Sequence, residues 1–295
     1  MSSRSLGAGW KGLLKAIGWS IGFAVEGLLL SAVVILGLTW ALEGGLQTGW
    51  LEQIGLGQFL VQGIGLTLGF GVTTWHLGQR VLGLSWEALR WKPSAAPLPW
   101  VWKGLALGIA AALGALVLGL VVGGARWSTG AGSWLEWLRA VGTTAGALAL
   151  PALAEELIFR GVPLVLLARH IGRARAVIAT AAIFGIAHLP NPDVSGLAIA
   201  NITVAGVLLG TIFYAPGGIW AAWGGHLGWN LSLAVSGAPV SGLPLPIPRV
   251  VYHPGGPDWL TGGAFGPEGG ILATMAMAGA IVLAWRWIPK GEVTA

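Results

Sequence analysis

The stretch Ala154-Glu155-Glu156-Leu157-Ile158-Phe159-Arg160 sets two adjacent carboxylates and a guanidinium inside a long apolar run. Charged groups at membrane depth cost roughly 2.5 to 3.5 kcal/mol each even on the most lenient insertion scale, so they must be compensated or used. Two later stretches supply partners. Phe184-Gly185-Ile186-Ala187-His188 ends one apolar segment on a histidine, and His226-Leu227-Gly228-Trp229-Asn230 sets a histidine and an amide inside another.

The surroundings of these stretches are membrane-like. Of 295 residues, 55% are hydrophobic and 9% charged, with a mean hydropathy of +0.77, whereas a soluble domain carries about 25% charged residues. The fifty glycines lie among Leu, Val, Ala and Ile, where membrane helices use small residues for close backbone approach. The absence of cysteine excludes disulfides and thiolate chemistry, so a metal would need His, carboxylate or water ligands.

Reading outward along the chain, eight apolar spans are expected, at about 16–40, 54–75, 100–122, 141–169, 176–189, 194–214, 219–235 and 271–288. The first is too long for a signal-peptide core. The expected fold is therefore all-α, a polytopic bundle of about eight transmembrane helices. It divides into an N-terminal part (1–142), a core (143–236) and a Pro/Gly-rich external loop with a final helix (237–295). That loop, 237–270, is expected to hold no regular element and to serve as a lid or entrance flap. A short amphipathic helix is expected at 86–91. With the N-terminus inside, thirteen of the sixteen basic residues fall on one side, Arg4, Glu-flanking Arg160 and Lys290 among them. The positive-inside rule then makes both termini cytoplasmic. The charge of +5 is a membrane signal rather than a nucleic-acid one. Within the first span, Glu26 is expected to face a neighbouring helix.

Depth decides whether the polar residues can meet. If the fourth span continues past a kink at 161–163 to Arg169, Glu155 lies about 21 Å from the basic surface, His188 about 20 Å and His226 about 12 Å, at 1.5 Å per residue. Helix tilt absorbs that difference, and convergence on one hydrolytic site is expected. Glu156 and Arg160 stand i, i+4 in the favourable order and should clamp each other. Glu155 then remains as the freer carboxylate, able to take a proton from water. His188 can orient that water or ligate a metal. His226 and Asn230, one turn apart, suit an oxyanion site. Phe184 and Trp229 read as walls, and His76, His170 and His253 as bystanders. Glu155, His188 and His226 could instead hold Zn²⁺ with an open position, but a metal would consume the groups that base catalysis needs. A buried charge cluster that only locks helix packing is the alternative. A proton-coupled transporter would show two similar halves, and none is present. Asn201-Ile202-Thr203 fits a glycosylation pattern but lies inside a span.

The ordered set Glu155-Glu156-x-x-x-Arg160, Phe184-x-x-x-His188 and His226-x-x-x-Asn230 resembles the motifs of the CPBP family, the CAAX-prenyl-protease-like and bacteriocin-processing intramembrane proteases also called Abi. The resemblance implies an endopeptidase cutting near or within the membrane; eukaryotic relatives remove the last three residues of prenylated CAAX proteins. It implies Glu155 as the water-activating base with His188, and oxyanion support from His226 and Asn230. The family is often labelled as metalloproteases, while a metal-free glutamate mechanism is implied for its prenyl-protease members. Expected partners are a peptide or protein substrate and the lipid bilayer of a bacterial inner membrane, not nucleic acid; no oligomeric state is expected from the sequence. A catalytically inactive scaffold is the competing expectation.

Overall fold

The computed structural model describes residues 9–44, 55–245 and 247–289. Arg4 and Lys290, which enter the charge argument, lie outside them. The architecture is all-α. Its helices are α1 (Trp10–Glu43), α2 (Leu56–Thr73), α3 (Pro97–Val121), α4 (Trp134–Arg160), α5 (Val162–Ile171), α6 (Arg173–Ala187), α7 (Gly196–Phe213), α8 (Gly218–Val235), a single turn α9 (Asp258–Thr261) and α10 (Ile271–Trp285). Among the described residues, α1, α2 with its extension, α3 and α7 are long and apolar enough to cross a membrane, and α10 is a shorter apolar helix. Large apolar side chains such as Val33, Val117, Ile178, Ile186 and Val282 stand exposed around the outside, which suits lipid rather than water.

Local rules explain the breaks. Ser133 caps α4 in a reciprocal capping box with Glu136. The helix interrupts at Gly161, and Pro163 opens the next one, so the expected kink at 161–163 is a true break between α4 and α5. Helix α2 runs on into a π-helical turn, Thr74–Val81. The amphipathic helix expected at 86–91 is instead a series of turns. There Arg90 adopts a left-handed φ of 56°, and its Nη2 donates to the carbonyls of Tyr214 (3.1 Å) and Ala215 (2.8 Å). Satisfying those helix-end carbonyls outweighs local helix formation.

Glycine sets the closest contact of the bundle. A Cβ on Gly104 would lie 2.0 Å from the Ala221 carbonyl oxygen, one on Gly108 2.1 Å from that of Gly225, one on Gly224 2.3 Å from that of Val101, and one on Gly228 2.4 Å from that of Leu105. The small-xxx-small pairs of α3 and α8 therefore bring two backbones together with nothing between them. That contact fixes the depth and rotation of α8, which carries His226.

The 237–270 segment departs from expectation. It contains β2 (Val250–His253), paired antiparallel with β1 (Arg126–Thr129) so that Trp127 faces Tyr252, followed by α9 and two 3₁₀ turns. Much of 261–270 is buried. Its glycines and prolines shape a packed cap rather than a loose loop.

Candidate active site

Helix α4 supplies the carboxylates. Pro151, inside it, cannot donate a backbone bond. The neighbouring carbonyls of Ala149 and Leu150 accept from Trp223 Nε1 (2.8 Å) on α8 and Thr67 Oγ1 (3.1 Å) on α2. These bonds seat the turn just before Glu155 between two other helices.

Glu156 is fully buried. Its Oε1 accepts from Arg160 Nη1 at 2.8 Å and from His226 Nδ1 at 2.9 Å. Arg160, 1% exposed, also donates through Nη2 to the Gly206 carbonyl at 3.3 Å and lies 4.5 Å from the Phe184 ring centroid. The buried charges thus compensate each other as an ion pair that further hydrogen bonds support. Because a carboxylate only accepts, His226 Nδ1 carries the hydrogen, and its Nε2 is turned toward Glu155. Nε2 lies 3.6 Å from Glu155 Oε2, beyond hydrogen-bond length. That oxygen has no hydrogen-bond partner.

His188 follows the end of α6. Its Nδ1 donates to the Phe184 carbonyl at 2.8 Å, which leaves Nε2 for the cavity. The Phe184 ring, 3% exposed, stands edge-on to His188 at 4.7 Å and to His226 at 6.0 Å. It is the wall between the two imidazoles. Asn230, one turn past His226, is half-buried.

A cavity of about 640 Å³ joins these groups. Glu155, His188, His226 and Asn230 all line it. The cavity also touches Leu28 of α1 and Ile183 of α6, both more than half exposed, so it reaches the outer surface at the helices that carry them. The expected convergence holds for the lining. The expected bystanders stand elsewhere: His76 Nδ1 pairs with Glu26 at 2.8 Å, so Glu26 does face a neighbouring element, and His253 bonds Ser128 at 2.7 Å.

The zinc alternative fits less well. Among the described residues, no three His, Asp or Glu side chains converge as a metal-ligand set. Glu155, His188 and His226 share the cavity without forming a zinc cradle, so no step below passes through a metal.

Two residues escaped the sequence reading. Glu268, 6% exposed, lies in the 237–270 segment yet lines the same cavity. Asn201, 1% exposed, donates to the carbonyls of Glu268 and Gly270, both at 2.8 Å. The available signal was a lone amide in an apolar span, which the glycosylation pattern hid.

Fold and site together define a membrane-embedded helical bundle with a carboxylate–histidine site at an internal cavity. Residues 136–232, about a third of the chain, match the family model described as type II CAAX prenyl endopeptidase Rce1-like. That match supports assignment of the chain to the CPBP, CAAX-protease-like family, as the three motifs imply. No curated protein and no solved structure matches the chain.

Proposed function

We propose that the protein is an intramembrane endopeptidase that uses Glu155 to activate water against a peptide bond of a membrane-associated or lipidated substrate. The family match supports a CAAX-type protease in general. The observation that carries the finer reading is the division of labour between adjacent carboxylates. Glu156 is fully buried, with Oε1 occupied by Arg160 and His226, whereas Glu155 lines the cavity with its Oε2 unpartnered beside His226 Nε2.

In this mechanism a water positioned by Glu155 and His188 loses a proton to the Glu155 carboxylate, and its oxygen adds to the scissile carbonyl carbon. The carbonyl oxygen becomes an oxyanion. The Asn230 amide donates to it, and His226 donates through Nε2 when doubly protonated, a state the flanking carboxylates compensate. Collapse of the intermediate breaks the C–N bond, and the proton held by Glu155 passes to the leaving nitrogen. Arg160 and Phe184 act through others: Arg160 holds Glu156, and Phe184 spaces the imidazoles.

The scaffold alternative predicts a sealed charge cluster. A cavity that reaches Glu155, His188, His226 and Asn230 favours the enzyme. The proposed setting is a bacterial inner membrane with both termini cytoplasmic, and no cofactor is assigned.

The test uses purified protein in detergent with a farnesylated CAAX peptide and a panel of quenched fluorescent peptides. Glu155→Gln should lower turnover by about 10²–10⁴-fold, the usual worth of a general base, with the fold retained. Full turnover in that variant overturns the assignment. Chelation with phenanthroline should leave wild-type turnover unchanged; loss restored by Zn²⁺ would reinstate the metal reading.

A further inference from the structure

Glu268 stands outside the segment that matches the family model, in a stretch of chain that reads as a loop, yet it is one of the few buried acids. Both of its oxygens are committed. Oε1 accepts from Trp229 Nε1 at 2.9 Å, and Oε2 accepts from the Ser241 backbone N–H. Its own carbonyl accepts from Asn201 of α7, whose side-chain oxygen in turn accepts from Thr274 of α10. One residue thus joins α7, α8 and both ends of the 237–270 segment.

The neighbours of these bonds lie at the cavity. Trp229 immediately precedes Asn230, and Trp229, Val240, Ser241 and Glu268 all line the cavity with the catalytic candidates. The segment is also held independently at 191–192: Asn191 Nδ2 donates to the Ser241 carbonyl at 2.8 Å. The start of the segment is also tied to the β1–β2 ribbon, where Trp127 Nε1 donates to the Ser236 carbonyl at 2.8 Å.

We propose that Glu268 is a positioning residue of the protease site. It latches the 237–270 segment over one end of the cavity and fixes the Trp229 indole, which sets the wall against which Asn230 faces a bound peptide. The closed end leaves the helix-flanked side, at Leu28 and Ile183, as the approach for substrate. The catalytic part of this inference rests on the protease reading; the latch does not.

The sequence contains no cysteine, so a single reporter can be placed. Val240→Cys, at a buried cavity-lining position outside the catalytic set, is labelled with a membrane-impermeant maleimide, alone and combined with Glu268→Gln or Trp229→Phe. The amide of Glu268→Gln turns a donor toward one of two N–H groups, and Trp229→Phe removes one donor while keeping an aromatic wall. Either should open the segment and raise the labelling rate about tenfold. Labelling at the unmodified rate in both overturns the latch, whether or not any peptide is cleaved. With the farnesylated CAAX peptide, both variants should lower kcat about tenfold with KM little changed. A lowered Tm with kcat and labelling both unaltered would make Glu268 a support of the fold alone and overturn the proposal.

Discussion

Adjacent residues on a helix point about 100° apart, and that angle separates Glu155 from Glu156. Glu156 turns into the protein, where Arg160 and His226 converge on one oxygen, while Glu155 turns to the cavity. The i, i+4 relation of Glu156 and Arg160 was legible because it is intrahelical. The bond from His226 to Glu156 was not, since no spacing rule links positions 70 residues apart. Replacing Arg160 with Leu strands a buried carboxylate and should destabilise the protein by about 3–5 kcal/mol. Thermal unfolding in detergent measures this, and wild-type stability would show that the pair compensates nothing. Restoring neutrality with the double variant Glu156→Gln, Arg160→Leu should recover part of that loss, although turnover should stay low because the amide no longer fixes the His226 tautomer.

At the scale of elements, α3 and α8 meet backbone to backbone at their glycines, so Gly108→Val must push the helices apart. Overpacking of this kind costs about 1–3 kcal/mol, and it should also lower turnover by moving His226 relative to α4. Unchanged Tm and turnover in Gly108→Val would remove that contact from the argument. The role of glycine in helix packing could be read from composition and pattern; which glycines face which carbonyls could not. The β1–β2 ribbon carries a pH prediction. Burial pushes the Tyr252 phenol from 10.0 up to about 12. A folded value raised above the unfolded one means the contribution is present in full below about pH 10 and fades as pH rises through 10 to 12. Hydrogen exchange of the 250–253 amides should therefore accelerate, beyond the intrinsic base-catalysed rise, across that window. Tyr252→Phe should abolish the extra acceleration, and its persistence would place the cause elsewhere.

For the whole molecule, the cap at one end and the exposed cavity residues Leu28 and Ile183 at the side define a lateral route. An Ile183→Trp variant should raise KM several-fold for a lipidated peptide with little change in kcat, because it narrows the approach and leaves the reacting groups in place. An equal fall in kcat with KM constant would put Ile183 in the chemistry and refute the route. An all-α membrane bundle and the polar stretches within it were determined by the sequence itself, because apolar length, charge cost and helical periodicity act locally along the chain. Only the tertiary structure decided that His226 leans on Glu156 and that the Pro/Gly stretch folds inward to plant Glu268 beside Trp229. Each of these depends on side chains far apart in sequence reaching one another in a medium with no water to satisfy them, a constraint that acts between helices rather than along them.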